Sequence, residues 1–253
     1  MGPAEIAATP SPTQSPNRPP GAPFPFELGP LSGRLQSPRK RAAVILERLK
    51  QLYPGAICSL HWRNPFELLV ATMLSAQCTD ERVNLVTPAL FKRFPTARAL
   101  ADSTAEEVER YVRSTGFYRN KARNIVASAR LLLERHGGAV PHSMEELLQL
   151  PGVARKTASV VLAWAFGINA GVTVDTHVRR LSQRLGLSSG NTPGKIEPDL
   201  MVLVPRSEWH QLSIQLIFHG RAICTARRAH CEHCGLADLC PSHPLRQLRR
   251  RRR

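Results

Sequence analysis

A chain of 253 residues, 42% of them hydrophobic, is too long to be a small disulfide-stapled domain and long enough for one sizeable core or two smaller helical ones. Its 35 Lys and Arg against 19 Asp and Glu leave a formal charge of +16, far more than solubility requires, so nucleic acid is the first partner to consider. No apolar run approaches the roughly 18 to 20 residues of a membrane span and no compact apolar segment follows the N terminus, which points to a cytoplasmic protein without a membrane partner.

Residues 1–37 contain ATPSPTQSPNRPPGAP, show no periodicity, and carry only Arg18 and Arg34 as arginines. They read as a disordered Pro-rich leader rather than an arginine-rich amphipathic presequence. Beyond them, helix start and stop signals recur and alternating strand patterns are nearly absent, so the expected fold class is all-α. Asn64-Pro65-Phe66-Glu67 offers an N-cap, a proline at the first helical position and a reciprocal glutamate, opening the helix FELLVATMLSAQ. DERVNLVTPALFKRF follows. Ser103 with Glu106 is expected to cap AEEVERYVRS, which Gly116 stops, and KARNIVASARLLLERH runs on to Gly137-Gly138. Ser143 and Glu146 form the next capping box, before MEELLQL.

The stretch LPGVARKTASVV, residues 150–161, then makes a turn between two helices and sets Arg155 and Lys156 just beyond it. A turn of this kind offers the backbone N–H groups from Gly152 onward, through Ala154 and Arg155, to a phosphate oxygen. A lysine on the first turn of a helix adds positive charge where unpaired N–H groups already supply it, so it either faces an anion or benefits from easy deprotonation. Desolvated beside Arg155, the Lys156 amine is expected to have a lowered pKa and to act as a nucleophile; an ordinary helical hairpin with an exposed lysine is the alternative. Asp175, in GVTVDTHVRRLSQRLGL, follows Lys156 by 19 residues. Alone it could be only an N-cap. Together, the amine and the carboxylate could attack a carbon, move a proton and stabilise a sugar cation, which points to chemistry at a sugar C1′.

Cys224, Cys231, Cys234 and Cys240 read C-x6-C-x2-C-x5-C. Four thiolates so close can hold zinc or an iron–sulfur cluster, and only the central pair has the spacing of a zinc knuckle. Arg227 and Arg228 lie in the loop between the first two cysteines, where a bound metal would fix them as a basic protrusion toward DNA phosphates. Residues 242–253, ending in the run Arg249–Arg253, read as a solvated basic tail.

LPGVARKTA, VDTHVRR, the cysteine pattern, LLVATMLSAQCTDERVN and TGFYRNKARNI together resemble the endonuclease III family, from about Pro38 to Pro241. The resemblance implies two helical domains with a DNA-binding cleft between them. One is a six-helix barrel over residues 62–172 with the helix-hairpin-helix at 143–166, and the other joins residues 38–61 to 173–241 and carries a 4Fe-4S cluster on the four cysteines. It further implies a base-excision glycosylase with AP lyase activity on oxidised pyrimidines in damaged double-stranded DNA, acting as a monomer with no cofactor beyond the cluster. By the same resemblance Lys156 is the Schiff-base nucleophile and Asp175 the catalytic carboxylate. Gln77 fills the gap left by an extruded nucleotide, Phe117 wedges the opposite strand, His177 lies near the lesion pocket, and Asp80 belongs to the same matched stretch as Gln77. Adenine-excising mismatch glycosylases normally lack this lysine, and 8-oxoguanine lyases lack the four-cysteine segment. A non-catalytic DNA-binding module would need neither Lys156 nor Asp175. This chain departs from the family at Ala154, where glycine is usual and a positive φ would leave the hairpin strained. It departs again at Cys78, which like Cys58 is expected to be buried packing rather than a ligand.

Overall fold

A computed structural model describes residues 26–30, 37–245 and 248. Among them the fold is all-α: eleven helices, no strand, and one isolated bridge between Cys224 and Ala229. Among the described residues no helix is long and apolar enough to cross a membrane. The described chain divides into two compact units, one spanning residues 58–170 and the other combining the residues up to 57 with those from 171 onward.

The first boundary falls earlier than the sequence pattern placed it. Cys58 to His61 belong to the first unit because Asn84 holds them, its Nδ2 donating to the Ser59 carbonyl at 2.7 Å and its Oδ1 accepting the His61 N–H at 2.9 Å. Likewise Val172 packs in the second unit's core rather than closing the first.

The first unit holds α2 (Pro65–Leu74), α3 (Asp80–Arg93), α4 (Ala97–Ala101), α5 (Ala105–Val112), α6 (Tyr118–His136), α7 (Met144–Leu147) and α8 (Arg155–Phe166). Besides the six helices that the pattern marks, the unit carries the short α4, opened by the Thr96 side chain accepting the Ala99 N–H, and α7 is a single turn. Its MEELLQL continuation closes through i→i+3 bonds from Gln149 and Leu150 N–H to the Glu146 and Leu147 carbonyls. Asn64 caps α2 as expected, but Glu67 reaches back to the Arg63 N–H and guanidinium instead of completing a box with Asn64. The cap of α5 is Thr104 with Glu107, one residue later than Ser103 with Glu106, because the Ser103 hydroxyl donates to the Leu100 carbonyl at 2.6 Å. Helix α6 packs against α2, α4 and α5, and α8 against α2 and α7. Leu69, Leu74, Phe94, Ile125 and Leu132, all essentially inaccessible to water, fill the space between them, each contributing about 1.5–3 kcal/mol by its burial.

The second unit packs α1 (Pro38–Leu52), α9 (Thr176–Arg184), α10 (Pro193–Leu203) and α11 (Trp209–Ala222) around Ile45, Leu49, Leu181, Leu200 and Leu216. Part of the expected disordered leader is docked on this unit. The Gly29 N–H donates to Asp238 Oδ2 at 2.8 Å, and Arg48 grips both oxygens of Asp238 at 2.5 and 3.0 Å while its guanidinium lies 4.8 Å from the Phe26 ring. The remainder of the leader, residues 1–25 and 31–36, lies outside the described residues. At the other end His243 is buried and donates its N–H to the Cys240 carbonyl, so the expected tail begins later than residue 242, and residues 246–247 and 249–253 lie outside the described residues.

His210, on α11, is held by burial well below its ordinary range, at about 4. The unfolded chain therefore binds a proton between pH 6.5 and about 4 that the folded chain refuses, so stability present above pH 6.5 is lost as pH falls through that window. The stability lost between pH 7 and pH 4 should shrink by about 2–3 kcal/mol in His210→Gln, measured by urea unfolding at both pH values. An unchanged difference would mean that His210 titrates normally.

Candidate functional site

The hairpin between α7 and α8 is built around Gly152. Its φ of 79° lies in the left-handed region, and an added Cβ would sit 2.8 Å from Asn124 Nδ2. The Val153 N–H returns to the Leu150 carbonyl at 3.1 Å, and the Ser128 hydroxyl ties the Pro151 carbonyl to α6 at 2.8 Å. Ala154, the N-cap of α8, has φ −89° and ψ 167°, backbone that any L-residue adopts, so the alanine carries no strain. Its methyl side chain provides no cap, so the N-cap residue itself places no acceptor at the electropositive helix terminus. Gly152→Ala is therefore expected to cost about 1–3 kcal/mol and Ala154→Gly less than about 1 kcal/mol, read from urea midpoints. Equal effects would contradict this division of roles.

Ala154, Arg155 and Lys156 are all exposed. The desolvation expected for Lys156 is thus not supplied by the surrounding protein.

Asp175 is the N-cap of α9. One oxygen, Oδ1, accepts both the His177 and Val178 N–H groups at 2.8 Å, and Oδ2 has no hydrogen-bond partner among the described residues. Capping therefore occupies half of the carboxylate. His177 is half-buried with Nδ1 3.1 Å from Arg180 Nη2. Burial lowers its basicity, Asp175 opposes that, and Arg180 and Arg221 reinforce it.

Gln77 and Phe117 share an unusual backbone. With φ of 54° and 47° they are the two non-glycine residues at positive φ among the described residues, and Phe117 is 67% exposed. The expected helix through Gln77 actually stops at Leu74. Strain of this kind costs about 1–3 kcal/mol per residue and persists only where the surroundings fix it. Both residues, with Gly152, line one pocket of about 200 Å³ that also involves Asn120, Lys121 and Asn124. Three of the residues singled out in the sequence thus converge. Lys121 was not foreseen: it is buried, and Nζ donates to the Leu74 carbonyl at 2.8 Å and the Thr115 carbonyl at 2.7 Å. Burial lowers its pKa, opposed by the nearby Cys78. Asp80 instead accepts the Ser59 hydroxyl at 2.9 Å. Cys58 and Cys78 are half-buried against the first core, the Cys58 thiol pushed up to about 12 by burial.

The four C-terminal cysteines are free and half-buried. Three tight turns carry Cys231, Cys234 and Cys240, with the Cys234, Ala237 and Cys240 N–H groups bonded to the Cys231, Cys234 and Ala237 carbonyls, while the Cys224 N–H donates to the His219 carbonyl at the end of α11. Arg184 Nη1 donates to Cys224 Sγ at 3.1 Å, and Cys234 Sγ lies 3.4 Å from His219 Nε2. Burial first, then the neighbouring cysteines, pushes Cys234 up to about 12 and Cys240 to about 11. Among the described residues no three His, Cys, Asp or Glu side chains are grouped to hold a single ion. The donor set is nevertheless four soft thiols close enough to perturb one another, which suits an iron–sulfur cluster with one thiolate per iron. Arg227 and Arg228 are both exposed on the loop after Cys224, whose turn is closed by the Arg228 N–H donating to Thr225 Oγ1 at 3.1 Å.

Comparison with known proteins adds to this geometry. Residues 70–206 match the HhH-GPD superfamily base excision DNA repair protein. Endonuclease III of Synechocystis sp. is 61% identical over 209 residues, covering 83% of this chain and 95% of the relative. A solved non-covalent endonuclease III–DNA complex superposes with a TM-score of 0.78 at 42% identity, covering 85% of this chain and 99% of that one. A trapped endonuclease III–DNA covalent intermediate, an estranged-adenine complex, gives the same score and identity over 83% and 98%.

Proposed function

This chain belongs to the endonuclease III family of the HhH-GPD superfamily of base excision DNA repair proteins, and on that premise we propose that it is a bifunctional DNA glycosylase and AP lyase acting on oxidised pyrimidines in duplex DNA. The observation that carries the reading is Lys156: an exposed amine on the first turn of a helix without a side-chain cap, directly after a turn that only glycine fits. Phosphate gripping needs the turn; it does not need the amine.

In this reading the N–H groups following Gly152, Ala154 and Arg155 bind a phosphate, and the target nucleotide is flipped out of the stack. Gln77 enters the gap and Phe117 wedges the opposite strand. The Lys156 amine bonds to C1′ as the C1′–N bond breaks, and the base leaves with that electron pair and a proton. The nitrogen then loses its remaining proton as the C1′–O4′ bond breaks and O4′ leaves with that electron pair and takes up a proton, giving an open-chain imine. Loss of a C2′ proton then expels the 3′ phosphate, and water releases the lysine. Asp175, through the oxygen not engaged in capping, takes up the amine's proton and stabilises the developing sugar cation. His177 lines the lesion pocket, and Arg227 and Arg228 hold phosphates through charge.

Cys224, Cys231, Cys234 and Cys240 would hold a 4Fe-4S cluster, which would offset the cost of burying their thiolates and tie the C-terminal segment together. The protein works as a monomer on damaged double-stranded DNA in the nucleoid. A duplex with a single thymine glycol tests the activity: free base together with a nick 3′ to the lesion is expected. Base release without a nick would mean a monofunctional enzyme, and neither product would overturn the reading.

A further inference from the structure

Two exposed side chains held in costly left-handed backbone raise the question of what holds them. Gln77 lies three residues after Leu74, the last residue of α2, whose carbonyl is among those a helix leaves unpaired. Phe117 lies two residues after Thr115, where the short turn following α5 ends. The Lys121 ammonium donates to both of those carbonyls, at 2.8 and 2.7 Å, and its backbone N–H donates to the Phe117 carbonyl at 3.1 Å.

A buried cation in the first turn of α6 is an expensive choice. Its burial and the helix terminus both oppose the charge, and an apolar side chain of the same length would fill the space without either cost. What an apolar side chain would lack is the pair of charge-assisted bonds that join two segments 41 residues apart in the chain, at Leu74 and Thr115. We propose that Lys121 is the positioning residue for DNA insertion: it clamps the exit of α2 to the turn before α6, so that Gln77 and Phe117 are presented together beside the hairpin pocket. The inference rests on the proposed roles of Gln77 and Phe117 and assigns Lys121 no contact with the reacting atoms.

The test is a double-mutant cycle on the full-length protein, read as the affinity for a duplex containing a tetrahydrofuran abasic analogue divided by that for the undamaged duplex. Lys121→Met is expected to lower this ratio at least about tenfold, since stacking-type insertions contribute at that scale, with undamaged binding unchanged within about twofold. In a background carrying Gln77→Ala and Phe117→Ala, the same substitution should change the ratio by less than about twofold. Fluorescence of 2-aminopurine opposite the analogue should show lost insertion in Lys121→Met, a signature that lowered stability alone does not produce. Equal losses in both backgrounds, or an unchanged ratio and fluorescence in Lys121→Met, would overturn the clamp. An unchanged ratio in the Gln77→Ala, Phe117→Ala protein would instead overturn the roles of those two residues. Should Lys121→Met fail to fold, Lys121→Gln, which keeps a neutral donor, enters the same cycle with the same outcomes, a loss smaller than tenfold but above twofold then being expected.

Discussion

Lys156→Gln is expected to abolish covalent capture of DNA by borohydride and to slow base release from thymine glycol at least about a thousandfold in single-turnover measurements. Glutamine keeps the length and polarity of the side chain and removes its nucleophile. Because Lys156 is exposed on the first turn of α8, the substitution should change stability by no more than about 0.5 kcal/mol. Affinity for undamaged duplex should fall only by the loss of one positive charge, seen as a slightly shallower salt dependence. A variant that still nicks DNA would place the nucleophile on another residue and leave Lys156 as a phosphate contact.

The second large effect is expected at Asp175, where two roles share one carboxylate. Asparagine retains an Oδ1 that can accept the His177 and Val178 N–H groups, and it caps helices about as well as aspartate, so Asp175→Asn should leave unfolding midpoints nearly unchanged. It removes the charge, and with it the proton acceptor and the partner for a developing cation. Base release should slow by about 10²–10⁴. Asp175→Ala should add a stability loss of about 1 kcal/mol to the same kinetic defect. If Asp175→Asn turns over like the unaltered protein while Asp175→Ala is merely less stable, Asp175 is only a cap.

Much of the fold was legible because helix ends are local chemistry. Asn64, Ser143 and Asp175 sit where a capping side chain is needed, and each accepts the N–H that the pattern assigns to it. Where the local signal was double, the sequence could not choose. Ser103 with Glu106 and Thr104 with Glu107 both satisfy the capping pattern, and the decision came from the Ser103 hydroxyl bonding to the preceding turn. The ending of α2 was hidden for a different reason. Its apolar run continues into Ser75-Ala76-Gln77 without a breaker, and the lysine bonded to the carbonyl of its last residue lies 47 positions further on. Docking of Gly29 onto Asp238 spans 209 positions and left no mark on a Pro-rich leader.

The candidate site was legible in kind more than in environment. Spacing identified the four cysteines, and the resemblance to endonuclease III assigned Lys156, Asp175, Gln77 and Phe117. No pattern showed that Gln77 and Phe117 adopt left-handed backbone, since neither glutamine nor phenylalanine signals it. Lys121 carries no such signal either, because a lysine two positions from both Arg119 and Arg123 near a helix start reads as a solvated charge. Ala154, which raised a doubt about the hairpin, turned out to occupy ordinary extended backbone, the positive φ falling on Gly152 instead.

The most direct test of the account is to trap the protein on a thymine glycol duplex with borohydride, digest the complex with protease and nuclease, and locate the reduced sugar by mass spectrometry. The added mass is expected on the peptide containing Lys156. The same mass on any other lysine, or on the N-terminal amine, would contradict it.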